Sequence, residues 1–541
     1  MESVSKSDVY NELNKRFKST CKILLGEEVG ELSDYSKWLY EKNGPRLVQK
    51  SALSGKEVVL SSDVYSKRAS YISFDEAELD KKYPPLSINE IKDIDSIISS
   101  VSDRISYSGN IILGNSKFVE QSTTITEGFY IYHTERNAFS KYIAYSTRGG
   151  YSEHVFGCYG FGPAHFSIKC GGVWDVTRGF CSSKCDFSSD IYFSHGLTNC
   201  YDAIFCFNVR NKRNAIGNLV LPREKYAQLK TKLVAEMREK LKKDKRLPFI
   251  FELIAKEKPD YSQLKRVFAS APAFPNEKTD KSRIEKAFSE TTGVVLGKPL
   301  SPIDKYAKWM STKSIINTEP GTSCFSGAPL IMPGYAWFMD YPKDRLLEQK
   351  EADFAGERLA VLLPEAESLS LQNAARVLSK IAYFCPQWQT GKLQNNIDSP
   401  LSIDAVDCYG GILNMQSKYM AFSYSGRNSD YVFGCREPRE SSFCINSHFS
   451  TKCTRCFEID HCANCSGVYF CHNCENVHDS MFCFNVKNKK YAIGNVEVGR
   501  EKFLEAKKIL LDYVGKELEA KGELTLDIYN LADFKAKKKE K

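Results

Sequence analysis

The chain repeats itself, so any fold it adopts must accept one pattern twice. Residues Phe205–Asn218 read FCFNVRNKRNAIGN and Phe482–Asn495 read FCFNVKNKKYAIGN, with eleven of fourteen positions identical at an offset of 277. The same offset aligns Val155-Phe156-Gly157-Cys158 with Val432-Phe433-Gly434-Cys435, Ser140-Lys141-Tyr142 with Ser417-Lys418-Tyr419, and Arg223-Glu224-Lys225 with Arg500-Glu501-Lys502. With small insertions the match continues upstream, pairing Tyr35-Ser36-Lys37-Trp38 with Tyr306-Ala307-Lys308-Trp309, Ser54-Gly55 with Ser326-Gly327, and Leu86-Ser87-Ile88 with Leu369-Ser370-Leu371. The two cysteine-bearing middles are therefore one fold seen twice.

A shorter period runs inside each copy. Cys435, Cys444, Cys453, Cys462 and Cys471 fall nine apart, and Cys456, Cys465, Cys474 and Cys483 repeat the spacing. Rows of nine give a third series, Val432, Ser441, Ser450, Ile459, Val468, Val477 and Val486. At the matching places the first copy carries Cys158, Ser167, Val176, Cys185 and Ser194, then Gly179, Ser188, Leu197 and Cys206. Cysteine is thus exchanged for valine, serine, glycine and leucine. A small buried hydrophobe tolerates that exchange and a metal ligand does not.

Strict short periods of this kind stack equivalent side chains along an interior axis, and the pattern resembles parallel β-solenoid (β-helix) repeat proteins over about 90 to 110 residues of each copy. The resemblance implies an α+β chain of two tandem parallel β-solenoid modules with a nine-residue period, each flanked by capping helices. The modules would occupy 106–220 and the Cys-rich 386–497. Helical or mixed regions at 1–105 and 303–385 would precede them, and capping helices within 221–270 and 498–541 would follow. The stretch 271–302, rich in Pro, Lys and Ser, would connect the copies. Phe503, Ala506, Ile509, Leu510, Tyr513 and Leu518 recur at helical spacing, which predicts the last cap. Ser87-x-x-Glu90 reads as a capping box opening a helix to Val101, and Trp38 and Trp309 read as aromatic anchors in short helices.

The remaining residues exclude more than they assign. No apolar run is long enough to span a membrane, and Met1–Gly26 lacks a signal pattern, so the expected residence is cytoplasmic, or a virion or particle released without a signal peptide. A net charge of +8 from 75 basic and 67 acidic side chains among 541 residues is too dilute to demand nucleic acid. Nineteen cysteines are an odd count, which argues against a closed disulfide framework. Cys453, Cys456, Cys462, Cys465, Cys471 and Cys474 form three CxxC pairs and are the residues that would hold zinc, but the first copy lacks such pairs, so packing without a cofactor is favoured. His195 and His472 occupy equivalent places and read as surface or ladder histidines rather than catalytic bases. Asn208, Asn211, Lys212, Gly217 and Asn218, with Asn485, Asn488, Lys489, Gly494 and Asn495, read as the turn out of the last coil.

Three functions remain open. The favoured one is a non-enzymatic structural or assembly protein, a homo-oligomer or larger assembly whose two rigid modules face neighbouring subunits of a virion, envelope layer or similar particle. The alternative is a zinc-binding module that contacts protein, or nucleic acid through Lys487, Lys489, Lys490 and the basic tail Lys535–Lys541. The third is a polymer-acting enzyme using Asp175, Asp186, Asp190 or Asp202, of which only Asp202 has a counterpart, Asp479.

Overall fold

The computed structural model describes residues 7–44, 46–66, 68–86, 91–274 and 278–536. Contacts divide the chain into two units, and neither is a continuous half. One comprises Met1–Arg46, Asn110–Pro275 and Thr318–Gln387; the other comprises Leu47–Gly109, Asn276–Asn317 and Trp388–Lys541. In terms of the repeat, each ladder packs with its own copy's N-terminal segment and with the middle segment of the other copy. The crossed segments match in form: Leu47–Lys50 pairs antiparallel with Glu57–Leu60 in one, and Thr318–Thr322 with Pro329–Pro333 in the other.

The expected pair of nine-residue β-solenoids flanked by capping helices is not what the chain builds. In the first unit six parallel strands close into a barrel. Pairing runs from Glu135–Ala144 to Glu153–Phe156, Ala164–Ile168, Gly171–Phe180, Tyr159–Phe161 and Thr147–Gly150, then back to Glu135–Ala144. Extra strands extend the sheet on both sides, and helices interleave with strands along the chain, making it mixed α/β. Register advances by twelve, not nine: Val173 pairs with Cys185, and Cys444 with Cys456.

The nine-residue period has a physical origin all the same. Inward side chains recur every third residue, as Cys453, Cys456, Ile459, Cys462, Cys465, Val468, Cys471, Cys474 and Val477 do in the second unit. Four such steps make one rung of twelve. Nine is one rung less one step, the diagonal on which the Cys453 thiol donates to the Cys462 carbonyl at 3.5 Å and the Cys462 thiol to the Cys471 carbonyl at 3.5 Å. The sequence displays that diagonal rather than the axis.

Two residues after each inward side chain the backbone turns left-handed. Arg455, Glu458, His461 and Asn464 have φ of 56°, 52°, 54° and 54°. Such geometry costs non-glycine residues roughly 1–2 kcal/mol each. It is sustained because each corner N–H reaches the rung before it, Tyr145 donating to the Tyr132 carbonyl at 3.1 Å and Lys169 to that of Phe156 at 2.9 Å.

The long helices that follow the two ladders lie where amphipathic spacing put them. Arg223–Asp244 buries Tyr226, Leu229, Leu233, Met237 and Leu241, and Arg500–Lys521 buries Phe503, Ala506, Leu510, Val514 and Leu518. Trp38 and Trp309 are buried in short helices, Trp38 donating to the Leu247 carbonyl at 3.1 Å. Within the expected connector lies the helix Ser282–Leu296, which buries Ile284, Ala287, Phe288 and Val295 on the second ladder's side. The capping box at 87–90 and the side chains of the tail 535–541 fall outside the described residues.

The last rung of each ladder is closed by an antiparallel pair, Arg213–Ile216 with Leu219–Val220 and Ala492–Ile493 with Val496–Glu497. Asn218 accepts from the Phe207 N–H at 2.8 Å and donates to its carbonyl at 3.1 Å, and Asn495 does the same for Phe484 at 2.8 and 2.9 Å. Gly217 and Gly494, at φ 55° and 51°, complete the turn; a Cβ there would meet Val361 or Val101 at under 3 Å. At the first rung, among the described residues, Lys117–Glu120 has a strand partner on one side only.

Candidate functional site

Twelve-residue stacking brings together groups far apart in sequence. In the second unit Arg436, His448, Asp460 and His472 lie in register, one rung apart. His472 Nε2 accepts the Ser108 backbone N–H at 2.8 Å, so the ring proton resides on Nδ1, which donates to Asp460 Oδ2 at 2.8 Å. Tyr65 donates to the same oxygen at 2.9 Å and Tyr529 to Oδ1 at 3.2 Å. Burial alone would raise the Asp460 carboxyl, but His461 and His472 beside it hold it well below the usual carboxylate range.

Among the described residues, Asp460, His461 and His472 are the one group of three metal-ligand types whose donor atoms all lie within 4.8 Å of one another. They do not fit a metal ion. Of the two His472 nitrogens, one lone pair is committed to the Ser108 amide and the other nitrogen carries the proton. The Asp460 oxygens already accept from His472, Tyr65 and Tyr529.

The first unit repeats this arrangement without the charge. His195 Nε2 accepts from the Cys385 N–H at 3.2 Å, and its Nδ1 lies 3.0 Å from Ser183 Oγ, which takes the place of Asp460. Tyr341 stands where Tyr65 does, its hydroxyl 3.5 Å from Ser183 Oγ. The His195 ring packs on Phe384 at 5.0 Å, and that of His472 on Tyr107 at 5.2 Å. Both histidines are buried ladder residues, and each fastens the crossed middle segment by its backbone. Burial pushes His195 well below its ordinary pKa and His472 below it too, against the pull of Asp460. It takes His448, whose ring nitrogens lack hydrogen-bond partners among the described residues, down to about 3.

The six cysteines named as zinc ligands are buried and free, arranged along interior columns instead of around a point. Burial pushes the Cys462 and Cys474 thiols up, and their protons go to backbone carbonyls. Of the aspartates, Asp190 and Asp202 share Lys230, at 3.6 and 2.8 Å, and Asp190 also pairs with Arg178 at 2.6 Å, so both are neutralised by cations; Asp186 lies on another face of the rung. Lys487 is held by Asp80 at 3.0 Å.

A feature that sequence reasoning missed lies on the outside. One of the four left-handed corners stays exposed in each ladder: Phe139, Tyr151, Asp175, Phe187 and Asn199 in the first, and Gln416, Asn428, Glu440, Lys452, Asn464 and Asn476 in the second. Phe139 and Tyr151 stack at 5.0 Å with planes 9° apart. Further along, Asp175, Thr177, Phe187, Ser189, Asn199 and Tyr201 line an open groove of about 520 Å³. The signal was a twelve-residue step at Phe139, Tyr151 and, three rungs on, Phe187, invisible to a nine-residue reading.

No protein-family model matches the chain, no curated protein matches it, and no solved structure matches it.

Proposed function

We propose that the chain is a non-enzymatic assembly component, joining neighbouring protein subunits of a larger particle through the first-rung end of its first ladder. One observation carries the reading: the first ladder is closed at its last rung, while its first-rung strand Lys117–Glu120 has, among the described residues, a strand neighbour on one side only. An unpaired strand edge is a template for another chain, and folded proteins ordinarily cover or charge it. Here the first rung of the first unit exposes Leu113 and Phe118 beside Lys117. The buried His472–Asp460 pair and the thiol columns, which anchor and fill, are consistent with a scaffold.

Sedimentation across a concentration series tests the proposal. The expected result is growth in size with concentration, abolished by Leu113→Lys because like charges would face each other across the edge. A chain that stays monomeric at the highest attainable concentration removes the reading.

A further inference from the structure

The aromatic corner of the first ladder has no structural duty, and the second ladder demonstrates it. Phe139, Tyr151 and Phe187 are 49%, 59% and 52% exposed. At the corresponding places of the second ladder stand Gln416, Asn428 and Asn464, equally exposed and equally left-handed, with φ of 49°, 49° and 54° against 52°, 54° and 48°. The same backbone is thus built with polar residues, and three large rings in water are a solubility liability that folding does not require.

The groups beside those rings narrow what could cover them. Glu153, His165, Thr177, Ser189 and Tyr201 form the flanking column, each in register with the next. The Asp175 carboxylate and the Thr177 and Ser189 hydroxyls make no side-chain hydrogen bond among the described residues. Asn199 bonds Asn211 at 2.6 Å and accepts from Tyr201 at 3.0 Å, which fixes its amide. Arg213 covers one face of Tyr201 from 5.2 Å. Phe139 and Tyr151 stack face to face, so the faces between them are taken, and the Phe187 ring stands three rungs on, beside the hydroxyl, amide and carboxylate groups of the groove; the strip is apolar at its rings and hydrogen-bonding beside them. The groove lining carries one negative charge and no positive one, so phosphates and acidic polymers are disfavoured. A sugar ring matches: its C–H face meets the exposed Phe187 ring while its hydroxyls meet Asp175, Thr177, Ser189 and Asn199 of the same groove.

We propose that the exposed corner of the first ladder, from Phe139 to Tyr201, is a binding strip for a neutral polysaccharide, and that the second ladder lacks it. The proposal is independent of the assembly reading, which concerns the ladder ends. The test uses the full chain in pull-downs with cellulose, chitin, β-1,3-glucan and mannan, followed by titration with soluble oligosaccharides of the retained polymer. Substitutions borrow the second copy's own residues, Tyr151→Asn and Phe187→Asn, which that backbone accepts. The expected result is retention on at least one polymer, weakened about tenfold or more by either substitution, with an unchanged melting temperature and unchanged sedimentation. Asn428→Tyr, in the second ladder, should leave retention as it is. Three results overturn the proposal: no polymer of the panel is retained; Tyr151→Asn and Phe187→Asn bind as the parent does; or the substitutions alter oligomeric size instead, making the strip a subunit contact. Retention by heparin or a basic peptide alone would overturn it as well.

Discussion

At the scale of single residues, the buried histidines make stability depend on pH. His195 and His472 work only as neutral rings, because Nε2 must keep a lone pair for the Cys385 or Ser108 amide. Their pKa values, and that of His448 at about 3, lie below the unfolded value near 6.5. The unfolded chain therefore takes up protons first, so the contribution is complete above about pH 6.5 and is lost as pH falls toward the folded values. Glu458, raised to about 7 by burial, acts in the opposite sense: its contribution is present below about 4.5 and fades as pH rises to 7. Thermal unfolding from pH 7.5 down to 4 should show a falling midpoint, with the fall reduced in His448→Gln. His472→Phe strands the Ser108 amide and the Asp460 carboxylate and should cost about 2–4 kcal/mol at pH 7. His472→Gln, which can restore an acceptor, should recover part of that loss; equal losses from both would show that ring packing alone holds the segment.

At the scale of elements, the interior was legible and the winding was not. Because the first copy puts Val176 and Leu197 where the second has Cys453 and Cys474, the thiols could be read as interior filler, and they are buried along the columns. The closing helices were legible from apolar spacing, as Phe503, Ala506 and Leu510 attest, whereas the helix Ser282–Leu296 was read as a connector. The rung length was hidden because nine, three and twelve all bring an inward residue onto an inward residue. Only backbone pairing separates them. The left-handed corners were hidden for another reason: Tyr130, Phe139 and Phe205 occupy a conformation that sequence rules reserve for Gly, Asn and Asp. The outward aromatic column depends on knowing both, and was missed for that reason. Filler makes a direct prediction. Cys453→Val should shift stability by less than about 1 kcal/mol, within the range for volume-conserving core exchanges, whereas loss of the folded second unit on this change would restore a ligand role for the thiol. Calorimetric melting of the variant decides between them.

At the scale of the whole chain, the duplication does not reveal which ladder each middle segment covers, since both ladders present an equivalent histidine and an equivalent aromatic shelf. Tyr107 and Phe384 hold matching places 277 apart, yet Tyr107 packs on His472 and Phe484, while Phe384 packs on His195 and Phe207. Tyr107 also donates to the Ile528 carbonyl. Each segment thus stabilises the ladder of the copy it does not belong to. Tyr107→Ala removes a fully buried ring and should cost about 3–5 kcal/mol, as truncation of large core aromatics does. The cost should fall on a ladder hundreds of residues downstream. In native-state hydrogen exchange, amides of 388–497 should lose protection while those of 123–216 in the first copy keep theirs. Had each copy folded on itself, the same substitution would deprotect 123–216 instead. Phe384→Ala supplies the mirror image: deprotection of 123–216, with 388–497 unchanged.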